Sequence, residues 1–312
     1  MGGEDQVTNR FKGVPSILHM FSPLPHVSPF DITMAYDAGF QAVVPYPNVT
    51  PEQVPSLVQD IIFCRNPKDV RRSAIFVGGR DAGVAMDTLD AAKKAMVPPF
   101  EVSIFADPSG AFTTAAGLVA CVEHQLKKHH QMELAGARVV IFGGTGPVGI
   151  ATGVIASLAG AKTTIVDHLS VDVAEAKAKE YNRRCGTSIR GTYACSDADK
   201  ARLISKADVI ISTAKAGVLV LDASVLEDAE ELKVAADVNT VPPVGIEGID
   251  PKDNGAPLQY ATAAKRAVGI GALTIGNVKF KTQQALLHSM LDTEKPVYLD
   301  FAHAFGAARI LV

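Results

Sequence analysis

Short runs of apolar, β-branched residues alternate along the chain with longer segments whose apolar residues recur at helical spacing. This alternation is typical of parallel α/β folds. In the first 130 residues it predicts strands at SILHMF (16–21), QAVVPY (41–46), SAIFVGG (73–79) and FEVSIFAD (100–107), with helices between them.

Start signals mark the helices between these strands. The segment TPEQVPSLVQDIIFC opens with Thr50 as the expected N-cap, Pro51 in the first helical position and Gln53 closing a capping box. The segment SPFDITMAYDAG opens in a similar way at Ser28 and Pro29. A long helix is expected over TTAAGLVACVEHQLKK.

A second series of strand and helix patterns begins at Ala137. Its strands and helices again alternate, and a largely helical stretch follows it from about Asn277. In order, the series contains ARVVIFGG, PVGIATGVIASLAG, KTTIVDH, VDVAEAKAKEYNRR, IRGTYAC, DADKARLISKA, DVIISTA and KVAADVN.

A glycine-rich turn joins the first strand of this series to its first helix. In GGTGPVGIATG (143–153) the glycines fit G-x-G-x-x-G, which permits a tight turn, a close approach to a pyrophosphate, and phosphate binding at the helix N-terminus. The alternative is an ordinary glycine-rich turn, but the strand before it and the helix after it are both present, as the motif requires. We therefore expect a dinucleotide to bind at Gly144, Thr145, Gly146, Pro147, Val148 and Gly149.

The end of the next strand carries residues that could select between two dinucleotides. Asp167 could accept hydrogen bonds from the ribose hydroxyls of NAD and would repel the 2′-phosphate of NADP, unless it is only a solvated strand-end aspartate. A protonated His168 would soften that repulsion. The expected cofactor is NAD, with NADP use possible. The loop STAKAG adds Thr213 and Ala214 as cofactor contacts, or as parts of an ordinary strand-to-helix turn.

These patterns predict an α/β protein with two domains. We expect an N-terminal α/β substrate domain over residues 1–130 and a Rossmann dinucleotide-binding domain with a parallel sheet over 131–284. The C-terminal helical segment, 285–312, could rejoin the first domain. A chain of 312 residues is long enough for two domains of ordinary size.

Composition and charge narrow the function classes. The net charge is −3 and no long basic run occurs, which argues against nucleic-acid binding. The four cysteines form no CxxC pair, so reduced thiols are expected, and no clustered Cys, His and Asp pattern indicates a metal site. The N-terminus, MGGEDQVTNR, is polar, and the longest apolar run, around 267–278, is too short to span a bilayer. The sequence therefore predicts a cytoplasmic protein without a membrane contact.

The sequence lacks the proton-transfer pattern of many dehydrogenases. Tyr181, Tyr193 and Tyr260 are not followed by a lysine four residues on. A hydride transfer without proton abstraction fits this pattern, and oxidation of a methylene carbon between two nitrogens is such a reaction, because its cationic product is delocalised over both nitrogens. The enzyme then contributes positioning and electrostatics.

Several segments together resemble a known family. They are SPFDITMAYDAG, VPYPNVTPEQV, AIFVGGRDAG, DPSGAFTTAAG, GGTGPVGIATG and DVNTVPPVGIEGID. On these residues the chain is similar to the bacterial NAD(P)-dependent methylene-tetrahydromethanopterin dehydrogenases. The resemblance implies oxidation of methylene- to methenyl-tetrahydromethanopterin during formaldehyde oxidation, and a fold related to that of methylene-tetrahydrofolate dehydrogenases. It also implies a homo-oligomer, trimeric in the family, in which a neighbouring subunit completes the cleft between the two domains.

The resemblance also carries over four candidate catalytic positions. It implies that Phe30 packs against the pterin or nicotinamide ring and that Thr114 places a hydroxyl near the reacting centre. Lys279 would hydrogen-bond the pterin or tune the charge near its imidazolidine ring, with Lys281 as a rival in register. Some family members carry a histidine four residues after that lysine, where this chain has Gln283, which can hydrogen-bond but cannot titrate. The alternatives are a core position on a helix face for Phe30, a helix N-terminal threonine for Thr114 and a solvated helix lysine for Lys279. The glutamine at position 283 either fits a chemistry without proton transfer or indicates a different contact with the pterin.

Two other functions remain open at this stage. A methylene-tetrahydrofolate dehydrogenase would perform the same chemistry on a different carrier, and the size of the pocket would distinguish the two. Residues 1–130 contain no Tyr-x-x-x-Lys pattern, which argues against an added cyclohydrolase activity. A non-catalytic NAD-sensing regulator would bind the cofactor without turnover.

Overall fold

The computed structural model describes residues 13–312, which form two units. Of the described residues, the first unit contains 13–111 together with Lys281–Ala307, and the second contains Phe112–Phe280 with Ala308–Val312. The polar segment MGGEDQVTNR, which carries the expectation that no signal region is present, lies outside the described residues.

The units do not divide at residue 130, where the sequence patterns placed the boundary. Residues 112–130 belong to the second unit, and two of their polar side chains bond to it. The Gln125 amide donates to Asn254 Oδ1 over 2.7 Å, and His130 Nε2 lies 3.1 Å from the carbonyl oxygen of Lys233. Of the C-terminal segment, residues 281–307 belong to the first unit and 308–312 to the second.

The first unit is built on a parallel sheet with the strand order β12-β4-β3-β1-β2. This is a doubly wound arrangement, and it brings the carboxyl ends of its strands to one edge. Its strands are β1 Ile17–Phe21, β2 Ala42–Tyr46, β3 Ser73–Val77, β4 Ser103–Ala106 and β12 Tyr298–Leu299. The helices with residues in this unit are α1 Pro29–Asp37, α2 Val54–Phe63, α3 Ala82–Lys94, α9 Ala272–Asp292 and α10 Phe301–Ala308.

The second unit is built on a sheet with the strand order β10-β11-β9-β8-β5-β6-β7, in which β10 is antiparallel and the other strands are parallel. Its strands are β5 Arg138–Phe142, β6 Lys162–Asp167, β7 Arg190–Tyr193, β8 Val209–Ser212, β9 Val234–Asp237, β10 Asn254–Pro257 and β11 Val268–Ile270. Its helices are α4 Ala111–His130, α5 Pro147–Leu158, α6 Val171–Cys185, α7 Asp197–Ile204 and α8 Ala223–Leu226, and it shares α9 with the first unit.

The strand order of the second unit is that of a Rossmann fold, which confirms the predicted fold class. The direction of winding reverses between β5 and β8, and such folds bind their ligands outside the carboxyl ends of the strands at this point. The sequence did not predict β10 and β11, because the strands NGAP and VGI are short and contain glycine or proline.

Two helices differ from their expected starts. The α2 helix begins at Val54, not at Pro51, and only half of the expected capping box forms. The Thr50 amide donates to Gln53 Oε1 over 2.9 Å, while the Gln53 amide donates to the Thr50 carbonyl over 3.0 Å and closes a separate turn ahead of the helix. The α9 helix begins at Ala272, five residues before the expected start.

The amino ends of β5 and β9 are held together by a buried carboxylate. Asp208 accepts hydrogen bonds from Arg138 Nε at 2.8 Å and from Lys233 Nζ at 2.6 Å. Burial alone would raise the pKa of Asp208, but the bonds from these two cations hold it well below the ordinary value. This ion-pair cluster therefore supports the edge of the sheet opposite the glycine-rich turn.

No helix within residues 13–312 is long and apolar enough to cross a membrane. In the same residues we find no group of three or more His, Cys, Asp or Glu side chains arranged to hold a metal ion.

A half-buried histidine on β1 should make the stability of the protein depend on pH. His19 Nδ1 lies 3.1 Å from the Tyr46 hydroxyl, and burial, together with the nearby charge of Arg65, lowers the pKa of His19 from 6.5 to about 4. In the unfolded chain this histidine takes up a proton below pH 6.5, whereas the folded protein takes it up only near pH 4. Its contribution to stability is therefore complete above pH 6.5 and is lost as the pH falls towards 4.

The variant His19→Asn removes this titration, so its free energy of unfolding should fall less steeply between pH 6.5 and 4 than that of the unmodified protein. Urea unfolding at a series of pH values measures the slope. His26→Asn, at an exposed position, is the control and should keep the original slope. Equal slopes for the unmodified protein and His19→Asn would contradict the prediction.

Candidate functional site

The glycine-rich turn lies at the carboxyl end of β5, at the reversal point of the second sheet. The strand ends at Phe142 and α5 begins at Pro147, with Gly146 as its N-cap. The Gly146 amide donates to the Gly143 carbonyl over 3.1 Å, which closes the turn. The N-terminal amides of α5 therefore face the same edge of the sheet and present the positive end of the helix dipole there.

Close backbone contacts fix the shape of this turn. A Cβ on Gly149 would clash with the Gly143 carbonyl oxygen and would lie 2.6 Å from the Cα of Gly144. A Cβ on Gly144 would lie 2.5 Å from Cβ of Ile165 on β6. At Gly146, by contrast, a Cβ would lie 3.4 Å from the Gly143 carbonyl oxygen, which is an ordinary contact. Gly149 and Gly144 are therefore required for packing within the protein, whereas the space beside Gly146 is open to a ligand.

The end of β8 supports the turn from the other side of the reversal point. Thr213 Oγ1 lies 3.0 Å from the Phe142 carbonyl oxygen and 3.1 Å from that of Gly143, and it donates to this pair of acceptors. Gly143 has a φ of +70°, and a Cβ there would stand 2.7 Å from the amide nitrogen of Ala214. The structure thus brings Thr213 and Ala214 against the glycine-rich turn, where the hydroxyl of Thr213 is engaged by backbone.

The acidic residue at the end of β6 is held by its own surroundings. Asp167 is 6% exposed, and its Oδ2 accepts a hydrogen bond from Thr145 Oγ1 at 2.7 Å. Its Oδ1 accepts from the amides of Leu169 at 2.8 Å and Ser170 at 3.1 Å. Burial opposes ionisation, but these hydrogen bonds outweigh it and hold the pKa of Asp167 below its ordinary value. The neighbouring His168 is exposed.

A second buried carboxyl at this edge was not identified from the sequence. Asp237, at the end of β9, accepts from the amides of Asn239 at 3.0 Å, Gly245 at 2.6 Å and Ile246 at 3.1 Å. Burial raises the pKa of Asp237, and the three amides counter this only in part. Asp237 therefore holds the segment DVNTVPPVGIEGID in its folded path. The signal was an aspartate that directly follows the buried strand VAA, as Asp167 follows its own strand.

Two of the candidate catalytic residues lie on helices that cross closely within the second unit. A Cβ on Gly117 of α4 would lie 3.1 Å from the amide nitrogen of Lys279 and 3.3 Å from the carbonyl oxygen of Ile275, both on α9. Thr114 precedes Gly117 by three residues on α4, so it lies on the same side of the helix. Both Thr114 and Lys279 are half-buried, whereas the rival Lys281 is exposed.

The other two candidates belong to the first unit. Phe30 is on α1 and is 48% exposed. Gln283 is fully buried, and its amide donates to Asp31 Oδ1 over 3.0 Å. Gln283 therefore holds the α1 residue next to Phe30.

At the carboxyl edge of the first sheet, a hydrogen bond joins the turns that follow β3 and β4. Ser109 has a φ of +51°, in the left-handed region that favours glycine, and its hydroxyl donates to the Gly79 carbonyl over 2.7 Å. Asp107, which follows β4, is fully buried. The sequence placed GGRDAG and DPSG among distinctive segments without giving these residues a role, and the structure brings the two segments together.

The residues of the second unit fit a nicotinamide dinucleotide. The turn offers the open face at Gly146 to a pyrophosphate, the N-terminus of α5 lies beside it, and an acidic residue ends the next strand. Residues 144–149 would hold the pyrophosphate, and Asp167 would lie towards the ribose of the adenosine.

Comparison with known proteins identifies relatives across the chain. The family description "Methylene-tetrahydromethanopterin dehydrogenase, N-terminal" matches residues 29–109. The NAD(P)-dependent methylenetetrahydromethanopterin dehydrogenase of Methylorubrum extorquens strain AM1 is 45% identical over 94% of this chain and 97% of its own length. The bifunctional protein MdtA of the same strain is 32% identical, over 87% of this chain and 90% of its own.

Solved structures share the fold at low sequence identity. Shikimate 5-dehydrogenase from Listeria monocytogenes, solved with shikimate and NAD, has a TM-score of 0.52 and 14% identity over 97% of this chain and 98% of its own. Quinate dehydrogenase from Corynebacterium glutamicum, solved with NAD, has a TM-score of 0.52 and 13% identity over 94% and 98% of the two chains. At such identity the likeness concerns the fold alone.

Two glycine variants should separate ligand binding from packing. Gly146→Ala should fold with unchanged stability, since its φ of −72° suits alanine and its Cβ meets only an ordinary contact. It should weaken NAD binding by about tenfold or more, because its methyl group stands where the pyrophosphate approaches. Isothermal titration with NAD measures the affinity.

The matched variant Gly149→Ala should be destabilised by about 1–3 kcal/mol, because its Cβ overlaps the turn itself. Thermal unfolding measures this loss. Unchanged NAD affinity in a folded Gly146→Ala would overturn the placement of the pyrophosphate.

Proposed function

Because the chain belongs to the family of NAD(P)-dependent methylenetetrahydromethanopterin dehydrogenases, we propose that it oxidises methylene-tetrahydromethanopterin to methenyl-tetrahydromethanopterin with NAD or NADP as the hydride acceptor. The observation that carries the proposal is the 45% identity over 94% of the chain to a relative of that name. The glycine-rich turn and the reversal point of the second sheet support the cofactor half of it.

The proposed reaction requires no proton transfer by the side chains of the protein. A bound nicotinamide would supply the two-electron acceptor for a hydride. Loss of hydride from a carbon between two nitrogens leaves a cation shared by both nitrogens, so no proton has to leave the reacting carbon. The residues of the site would then act by holding the reactants in line and by adjusting the local charge. We propose, accordingly, that no general base takes part.

We propose distinct roles for the four candidate residues. The exposed ring of Phe30 would stack on the pterin or the nicotinamide. Thr114 and Lys279, on the two closely crossing helices, would offer a hydroxyl and an ammonium group to the polar edge of the pterin. Gln283 would act indirectly, by fixing Asp31 on the helix that carries Phe30.

The family resemblance also suggests an assembly and a location, which we include in the proposal. We propose a homo-oligomer, a trimer as expected for the family, in the cytoplasm. Size-exclusion chromatography with light scattering would measure the mass of the assembly against the 32.8 kDa chain.

A steady-state assay tests the activity. Purified protein supplied with methylene-tetrahydromethanopterin and NAD or NADP, in separate reactions, should give the absorbance of reduced nicotinamide. Methylene-tetrahydrofolate serves as the comparison substrate and should be turned over less efficiently. Turnover with the folate substrate alone would assign the protein to folate chemistry. NAD binding without turnover of either substrate would leave a nucleotide sensor in place of an enzyme.

Paired lysine variants test the substrate side. Lys279→Met should lower kcat/KM for the pterin by roughly a hundredfold, about the effect of losing one hydrogen bond to a charged group, with NAD affinity unchanged. Lys281→Met, two residues further along the same helix and exposed, is the matched control and should retain activity. Equal losses in both variants, or a larger loss in Lys281→Met, would reject Lys279 as the residue that contacts the pterin.

A further inference from the structure

The carboxylate at the end of β6 has little capacity left for a ligand. Asp167 Oδ1 accepts two backbone amides, from Leu169 and Ser170, and Oδ2 accepts the hydroxyl of Thr145. A carboxylate can accept about four hydrogen bonds in all. The three donors from the described residues leave about one position, on Oδ2, for a ribose hydroxyl.

Because these hydrogen bonds occupy most of Asp167, the carboxylate should discriminate less strongly between NAD and NADP. An aspartate with both oxygens free could bind two ribose hydroxyls and would present its full charge to a 2′-phosphate. Here one ribose hydroxyl at most can be bound, and three donors spread the negative charge. Asp167 is also only 6% exposed, so its charge is held back from the surface.

Thr145 is the donor that a side-chain change can remove. It stands between Gly144 and Gly146 in the turn, so its hydroxyl connects the pyrophosphate-binding backbone to the ribose-binding carboxylate. The other two donors are main-chain amides of the loop that follows β6. The 2.7 Å bond from Thr145 therefore fixes how Oδ2 is directed.

We propose that Thr145 is a specificity-determining residue that acts through Asp167: its hydroxyl occupies Oδ2 and thereby keeps the site permissive for both NAD and NADP. The inference rests on the proposed function, since it concerns the cofactor of that reaction. Thr145 acts as a positioning residue here. The charge of Asp167 determines that NAD is favoured over NADP, and the hydroxyl of Thr145 determines how strong this preference is.

Three variants test the proposal by direct binding. Thr145→Val keeps the shape of the side chain and removes the hydroxyl, so Oδ2 should become free for a second ribose hydroxyl and more repulsive to a 2′-phosphate. The ratio of the NADP to the NAD dissociation constant should rise by about five- to tenfold. Thr145→Ser keeps the hydroxyl and should restore the original ratio. Asp167→Asn removes the charge, and the ratio should fall.

Binding is measured by isothermal titration with NAD and NADP, and by the fluorescence of NADH and NADPH, which protein emission disturbs little because the chain contains no tryptophan. Thermal unfolding shows whether each variant is folded, and Thr145→Ala replaces Thr145→Val if the latter does not fold. An unchanged or lowered ratio in the folded variant lacking the hydroxyl would overturn the proposal.

Failure of this proposal and failure of the proposed function give different results. If the unmodified protein binds neither nucleotide, the cofactor half of the function falls. The unmodified protein could instead bind both nucleotides and turn over the pterin, while removal of the Thr145 hydroxyl leaves the ratio of the NADP to the NAD dissociation constant unchanged. In that case only the proposed role of Thr145 is wrong. A uniform loss of affinity for both nucleotides would show a merely structural threonine and would also count against it.

Discussion

The second unit depends on the contact between the glycine-rich turn and the end of β8. Gly149 lies against the carbonyl of Gly143, and that residue in turn lies against the backbone of Ala214, with the hydroxyl of Thr213 bonded to the same stretch. No side chain larger than hydrogen fits at Gly143 or Gly149, so the two strand ends on either side of the reversal point meet through close backbone contacts and the Thr213 hydroxyl. The direction of the helix that follows, and with it the position of its free amides, is set by this contact.

Much of this edge could be predicted from the sequence, and the reason is local. A buried strand, a spaced set of glycines and a helix lie next to one another in the chain, and each constrains the next. The acidic residue after the following strand could be identified for the same reason. Its hydrogen bonds could not, because Thr145 is 22 residues away and nothing in the spacing shows that its hydroxyl turns towards Asp167. The sequence predicted an open acceptor, and the fold supplies one that is largely occupied.

For the candidate substrate-binding residues, the sequence did not predict which side chains surround them. The positions of Phe30, Lys279 and Gln283 came from a resemblance, which gives positions but not surroundings. Gln283 pairs with Asp31 across 252 residues, and nothing in the sequence pattern shows that these two residues meet. The strands NGAP and VGI were missed because short strands with glycine or proline carry little pattern, and the helix boundary at Val54 was missed because a local turn uses the expected capping groups.

One edge of the first sheet is formed by β12, which follows the other strands of the described residues in the chain. Tyr298–Leu299 pairs with β4, yet 191 residues lie between Ala106 and Tyr298, and they include nearly all of the second unit. During synthesis residues 112–280 of the second unit can therefore fold while the first unit still lacks an edge strand and leaves β4 unpaired on that side. A nascent chain that stalls after about residue 290 would expose this edge of β4 to other strands, so β12 protects the sheet against association during synthesis.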